Sequence, residues 1–134
     1  MLVNGGYDWV DVRDICDAVI NAIHLDKSGE RYLVSGGWKS LKDLSKTIAD
    51  VTGRKTPKKV APIALAKMGL PFILAWAKIR HERPLYTKDS LDVLQMSSKH
   101  VSHAKAERDL GFRARPLEET VRDTVGWFEK NGLL

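Results

Sequence analysis

The spacing of apolar residues changes at Asp11, and that change limits the folds open to this chain. Before it, Tyr7-Asp8-Trp9-Val10 alternates and carries aromatic and β-branched side chains, the pattern of a short strand. After it, Val12, Ile15, Cys16, Val19, Ala22 and Ile23 recur at three- and four-residue steps. Residues 11–24 therefore read as an amphipathic helix with that face turned inward. Asp11 is placed to cap its N-terminus, and Asp14 lies in the first turn, where the helix dipole favours an acid. Asp26-Lys27-Ser28-Gly29 ends the helix. Arg31-Tyr32-Leu33-Val34-Ser35 reads as a second strand, stopped by Gly36-Gly37. Strand, helix and strand at this spacing form a βαβ unit, with parallel strands and a right-handed crossover expected.

Beyond residue 37 the pattern is helical. Ser40, with Asp43 three residues on, caps a helix with Leu41, Leu44, Ile48 and Val51 on one face, and Gly53 closes it. Residues 58–61 are expected extended, with Pro62 at the first helical position. Residues 63–79 are mostly apolar and shorter than the ~20 residues a membrane span needs. Pro71 predicts a kink or break within them. Further helices are expected from Thr87 to Leu94, from His103 to Leu110 behind Ser102, and from Leu117 to about Lys130, the last with Leu117, Val121, Val125 and Phe128 as its buried stripe.

The charge is uneven. Nine lysines and arginines against one acid, Glu82, give residues 54–88 a charge of +8, whereas the whole chain carries +5. These cations either solubilise the apolar helix they flank or form a basic rim for an anionic partner. No aromatic residues interleave with Arg54 to Lys59 and no zinc-finger or RNP pattern occurs, so nucleic acid is the weakest reading. A single cysteine, Cys16, excludes an internal disulfide and points to a reducing, cytoplasmic setting. It lies on the apolar helix face, where a buried, inert thiol is expected. Residues Met1 to Gly6 lack a basic start followed by an apolar run, so no secretory signal is expected.

Most catalytic signatures are missing. There is no Gly-x-Ser-x-Gly elbow, and Leu85 stands where a zinc-protease helix beginning at His81-Glu82 needs its second histidine. His100 and His103 have no third ligand nearby in sequence, so no metal is expected. Asp11, Asp14 and Asp17 read as capping and solvated acids rather than an acid/base dyad. Gly36-Gly37 follows a strand and precedes a helix but lacks a third glycine, which suits a plain turn better than a phosphate cradle. No catalytic and no cofactor-binding residue is assigned.

Four segments, in order, resemble one family. Residues 6–19, Gly-Tyr-Asp-Trp-Val-Asp-Val-Arg-Asp-Ile-Cys-Asp-Ala-Val, are similar to the entry into the carboxyl-terminal third of extended short-chain dehydrogenase/reductases. The nearest branches are the dihydroflavonol-reductase-like and the NAD-dependent epimerase/dehydratase ones. Gly29 to Gly36 resembles that family's last sheet strand. Ser102 to Phe112 resembles its late Lys-Ala…Leu-Gly-aromatic motif, and Arg115 to Phe128 its closing helix. The family's Gly-x-x-Gly-x-x-Gly turn and its Tyr-x-x-x-Lys pair do not occur: four residues beyond Tyr7, Tyr32 and Tyr86 stand Asp11, Gly36 and Ser90.

The resemblance implies an α/β, predominantly helical chain: a single domain over 1–134, with a βαβ remnant of a Rossmann-type sheet over 1–37 and a helical substrate-binding cap over 38–134. It implies the substrate-binding portion of an NAD(P)-dependent reductase, epimerase or dehydratase, from a split or truncated reading frame and not catalytically competent alone. NAD or NADP is implied for the complete family enzyme, with none bound by this chain alone. Tyr7 stands where sugar-nucleotide members often present an arginine, which favours the reductase-like branch. The substrate side is expected at Tyr7, Gly36, Gly37, Leu70 and Trp76. The open edges of a two-stranded unit predict a homo-oligomer or a separately encoded nucleotide-binding half as partner, and no membrane. The alternative reading is a non-catalytic interaction or oligomerisation module.

Overall fold

A computed structural model describes residues 2–25, 27–57, 59–80 and 87–134. His81, Glu82, Leu85 and Tyr86 lie outside the described residues.

The chain is predominantly helical, with two small two-stranded ladders. The order is β1 (Leu2–Val3), β2 (Gly6–Asp8), α1 (Val12–His24), β3 (Trp38–Ser40), α2 (Leu41–Thr52), β4 (Val60–Ala61), α3 (Ile63–Arg80), α4 (Lys88–Met96), α5 (Ala104–Leu110) and α6 (Leu117–Lys130).

Helix ends follow their local signals. Asp11 caps α1 by accepting from the Arg13 amide at 2.9 Å. Ser40 and Asp43 form a full capping box on α2, and Gly53 closes that helix in the left-handed conformation. Thr87 and Ser90 form a second box on α4, and Gly111 ends α5, again left-handed. The residue preceding α5 is His103 rather than Ser102, and its side chain makes no cap bond. Pro71 does not break its helix: α3 runs through it from Ile63 to Arg80. Its missing N–H and ring clash are outweighed by the burial of Leu70, immediately before it, and of Ala77, six residues after it.

The expected parallel βαβ pairing is not formed. Residues 31–35 join no ladder, and β2 pairs antiparallel with β3, Gly6 opposite Ser40 and Asp8 opposite Trp38. The parallel ladder is instead β1 with β4, Leu2 opposite Val60. A strand needs a neighbour to satisfy its amides, and no described strand lies beside 31–35.

Two apolar clusters hold the chain together. One joins β1 to α3 and α4 through Val3, Leu70, Leu91 and Leu94, with Tyr7 packed against it. The other joins α1 to α5 through Ala18, Ala106, Leu110 and Phe112, with Tyr32 and Val34 alongside. Helix α1 is rotated about its axis by roughly a quarter turn from the orientation its apolar spacing suggests, so Ala22 packs on the cluster and Ile15 is half-buried but the rest of the stripe is not covered. Asp14 and Ala18 are buried, while Val12, Val19 and Ile23 are 69%, 54% and 75% exposed, and Cys16 is exposed too. The thiol is therefore not a buried one. Small Ala18 lets α5 approach closely, and a partner for Asp14 draws that side inward.

Candidate functional site

A cleft of about 1060 Å³ lies between α2 and α6. Its floor carries Leu44 and Ile48 from α2 and Val121, Val125 and Phe128 from α6. Lys39, Lys46 and Arg54 add positive charge at its margin, and Asp43 and Asp50 add negative charge. The hydroxyl and amide of Ser40 hold the Asp43 carboxyl below its ordinary pKa.

One end of the cleft is built on a knot of charges. The Arg13 guanidinium donates to both oxygens of Asp11, at 3.0 and 2.8 Å, and also reaches Asp123 at 2.7 Å. Thr120 donates to Asp11 at 2.8 Å. These donors, Arg13 first, outweigh the effect of burial and hold the Asp11 carboxyl well below the usual carboxylate range. Arg115 donates from its backbone to Asp14 at 2.9 Å and from Nε at 2.6 Å. Asp14 is therefore a buried ion-pair partner that fixes the approach to α6, not a solvated acid.

Gly36-Gly37 closes the same end. A Cβ on Gly36 would stand 1.7 Å from the Trp9 carbonyl oxygen, so only glycine permits this backbone approach. Gly37 has φ of +92°, and its N–H donates to Asp8 at 3.1 Å. Buried Ser35 donates to the same carboxylate. The Gly37 amide is thus already bound to a carboxylate, and the turn leads into β3 rather than directly into a helix. It does not fit a dinucleotide pyrophosphate, which needs free amides at a helix N-terminus.

The five expected substrate residues do not converge. Gly36 and Gly37 line the α2–α6 cleft. Tyr7 and Leu70 meet at the β1–α3–α4 cluster, where Leu70 is buried and Tyr7 stacks edge-to-face on Trp9 with centroids 5.5 Å apart. Trp76 stands apart, 61% exposed, with Arg80 5.0 Å over its ring. His103 packs edge-to-face against Phe112, and among the described residues no group of three His, Cys, Asp or Glu gathers to hold a metal.

The cleft hydroxyls are engaged: Thr120 with Asp11, Thr124 with the Thr120 carbonyl, Thr47 with the Asp43 carbonyl. Sequence reasoning found both apolar stripes of this cleft but not that they face one another. It also missed Arg115 and Thr120, whose partners lie 101 and 109 residues away.

No family model matches the chain. Curated relatives match nearly all of it. A Synechocystis protein named "Putative dihydroflavonol 4-reductase" is 28% identical over 97% of this chain and 39% of its own length. Sterol demethylase protein B of Methylococcus capsulatus is 25% identical over 98% of this chain and 40% of its own length. The chain thus spans about two-fifths of these relatives. Among solved structures, gox2253 superposes with a TM-score of 0.74 at 25% identity, covering 98% of this chain and 40% of that one. A nucleoside-diphosphate-sugar epimerase from Pseudomonas aeruginosa gives 0.68 at 24% identity, over 99% of this chain and 38% of that one. Sequence motifs, similarity over nearly all of this chain and fold agree, and the chain resembles the carboxyl-terminal part of extended short-chain dehydrogenase/reductases.

Proposed function

We propose that this chain is the substrate-binding portion of an NAD(P)-dependent reductase, epimerase or dehydratase, completed by a nucleotide-binding half. One observation carries the reading: the apolar face of α1 is left in solvent. Val12, Cys16, Val19 and Ile23 form a continuous exposed stripe, and Leu33, within the segment 31–35 that joins no described ladder, is 64% exposed. Residues 31–35 become a sheet strand, and 1–37 a βαβ unit beside the helical cap of a single domain, once neighbouring strands supply amide partners. The nucleotide-binding half, or a second copy of this chain, covers the stripe. The chain works in the cytoplasm, where an exposed thiol stays reduced.

In this reading Tyr7 faces the substrate and Leu70 holds the α3 wall beside it, while Gly36-Gly37 shapes the separate α2–α6 cleft and Trp76, exposed on the outer side of α3, takes no part. Hydride transfer needs a cofactor cradle and a proton donor, which the complete enzyme gains from its other half. Titrating the purified chain with NADPH in a calorimeter tests this. No heat at micromolar concentrations is expected, and saturable micromolar binding would overturn it. The alternative, a self-associating interaction module, is favoured by the same stripe. Sedimentation separates the two, because a tight homo-oligomer that ignores an added nucleotide-binding half supports the module.

A further inference from the structure

Helix α3 is apolar on two opposite sides, and only one of them is covered. At 100° per residue, Ile63, Ala66, Leu70 and Ala77 fall on one arc of about 60°, which packs on the core. Leu65, Met68, Phe72, Trp76 and Ile79 fall on another arc of about 80°, nearly opposite. They are 56%, 74%, 80%, 61% and 75% exposed. The stripe is straight and about 21 Å long. Exposed apolar surface this continuous marks a contact site.

The surrounding charge selects the partner. Residues 54–80 contain seven lysines and arginines and no acid. Arg80 lies beside the stripe, folded over the Trp76 ring, and Lys78 lies farther round the helix on the other side, about 120° from the stripe's centre. Pairing this face with a second copy would bring two strongly positive segments together, which opposes self-association here. A planar anionic surface satisfies both features: the stripe enters the apolar boundary, and the flanking cations reach up to the headgroups. We infer that α3 lies in the plane of an anionic phospholipid surface, with Phe72 and Trp76 at the acyl boundary and Lys78 and Arg80 among the phosphates.

This is a different demand from crossing a membrane, and no described helix is long and apolar enough to cross one. The expectation that the apolar run is too short to span a bilayer stands beside it.

The test is flotation of the full chain with vesicles of phosphatidylcholine alone and with a third phosphatidylglycerol. Recovery at least tenfold higher on the anionic vesicles, falling at high salt, is expected. Phe72→Glu, at the most exposed position of the stripe, should lower recovery at least tenfold with unchanged circular dichroism. Leu133→Glu, exposed at the chain's end and away from α3, should leave it unchanged. Equal recovery on both vesicle types, or none, overturns the proposal. So does salt-sensitive binding to polyglutamate, lost in Phe72→Glu, without vesicle binding, since that points to an acidic protein. A dimer that Phe72→Glu dissolves overturns it as well.

Discussion

The two apolar clusters hold their surroundings by different means. The α3–α4 side rests on Val3, Leu70, Leu91 and Leu94, with one exposed ion pair, Lys67 to Asp92 at 2.6 Å. The α1–α5–α6 side buries smaller residues, Ala18 and Ala106 among them, and is tied by directed polar contacts. Asp11 and Asp14 bind Arg13, Thr120 and Arg115, and Asn21 donates to the Leu110 carbonyl at 2.8 Å. Apolar burial stabilises without fixing direction, whereas a charge-assisted hydrogen bond specifies one approach. The α1 side therefore has one arrangement enforced across a hundred residues of sequence, while the α3 side has the larger share of nonspecific cohesion.

The largest expected effect breaks the α3–α4 side. Leu91 is wholly buried, and Leu91→Ala removes its methyl groups at the centre of that cluster. A loss of about 3 kcal/mol in urea unfolding is expected, with loss of protection at α3 and α4 in hydrogen exchange before α1. Uniform loss of protection would show that the two clusters unfold as one.

Asp11→Ala breaks the other side, at about 2 kcal/mol, because it removes the α1 cap and leaves Arg13 and Thr120 without their shared acceptor. The same residue sets an acid limb. Its carboxyl is held below its ordinary pKa in the folded chain, so the stability it adds is present above about pH 4 and is lost as pH falls through the folded-state value. Thermal midpoints measured from pH 6 to pH 2 should fall more steeply in the parent chain than in Asp11→Asn. Parallel slopes would place the acid sensitivity in other carboxylates.

What the sequence made legible follows the same division. Asp11, Ser40, Thr87, Gly53 and Gly111 act within a few residues of themselves, so helix ends could be read directly. The pairing of β2 with β3, and of Asp14 with Arg115, joins residues far apart, and nothing local announces it. The amphipathic spacing of α1 identified a helix but not which side is covered, because that is decided by Asp14 pairing with Arg115 and Ala18 packing on α5, contacts made far along the chain. At the cleft, each stripe was visible on its own helix, but their meeting was not.

The smallest effect sharpens the comparison most. Ile23 and Phe72 are 75% and 80% exposed, so Ile23→Ser and Phe72→Ser should each change stability by no more than about 0.5 kcal/mol. Their effects on association should differ. The α1 stripe has no concentration of cations around it, so Ile23→Ser should weaken self-association in sedimentation, or binding of a nucleotide-binding half. The α3 stripe lies in an acid-free basic segment, so Phe72→Ser should leave self-association unchanged. If both substitutions weakened association equally, charge would not be what separates the two faces, and exposed apolar area alone would decide their contacts.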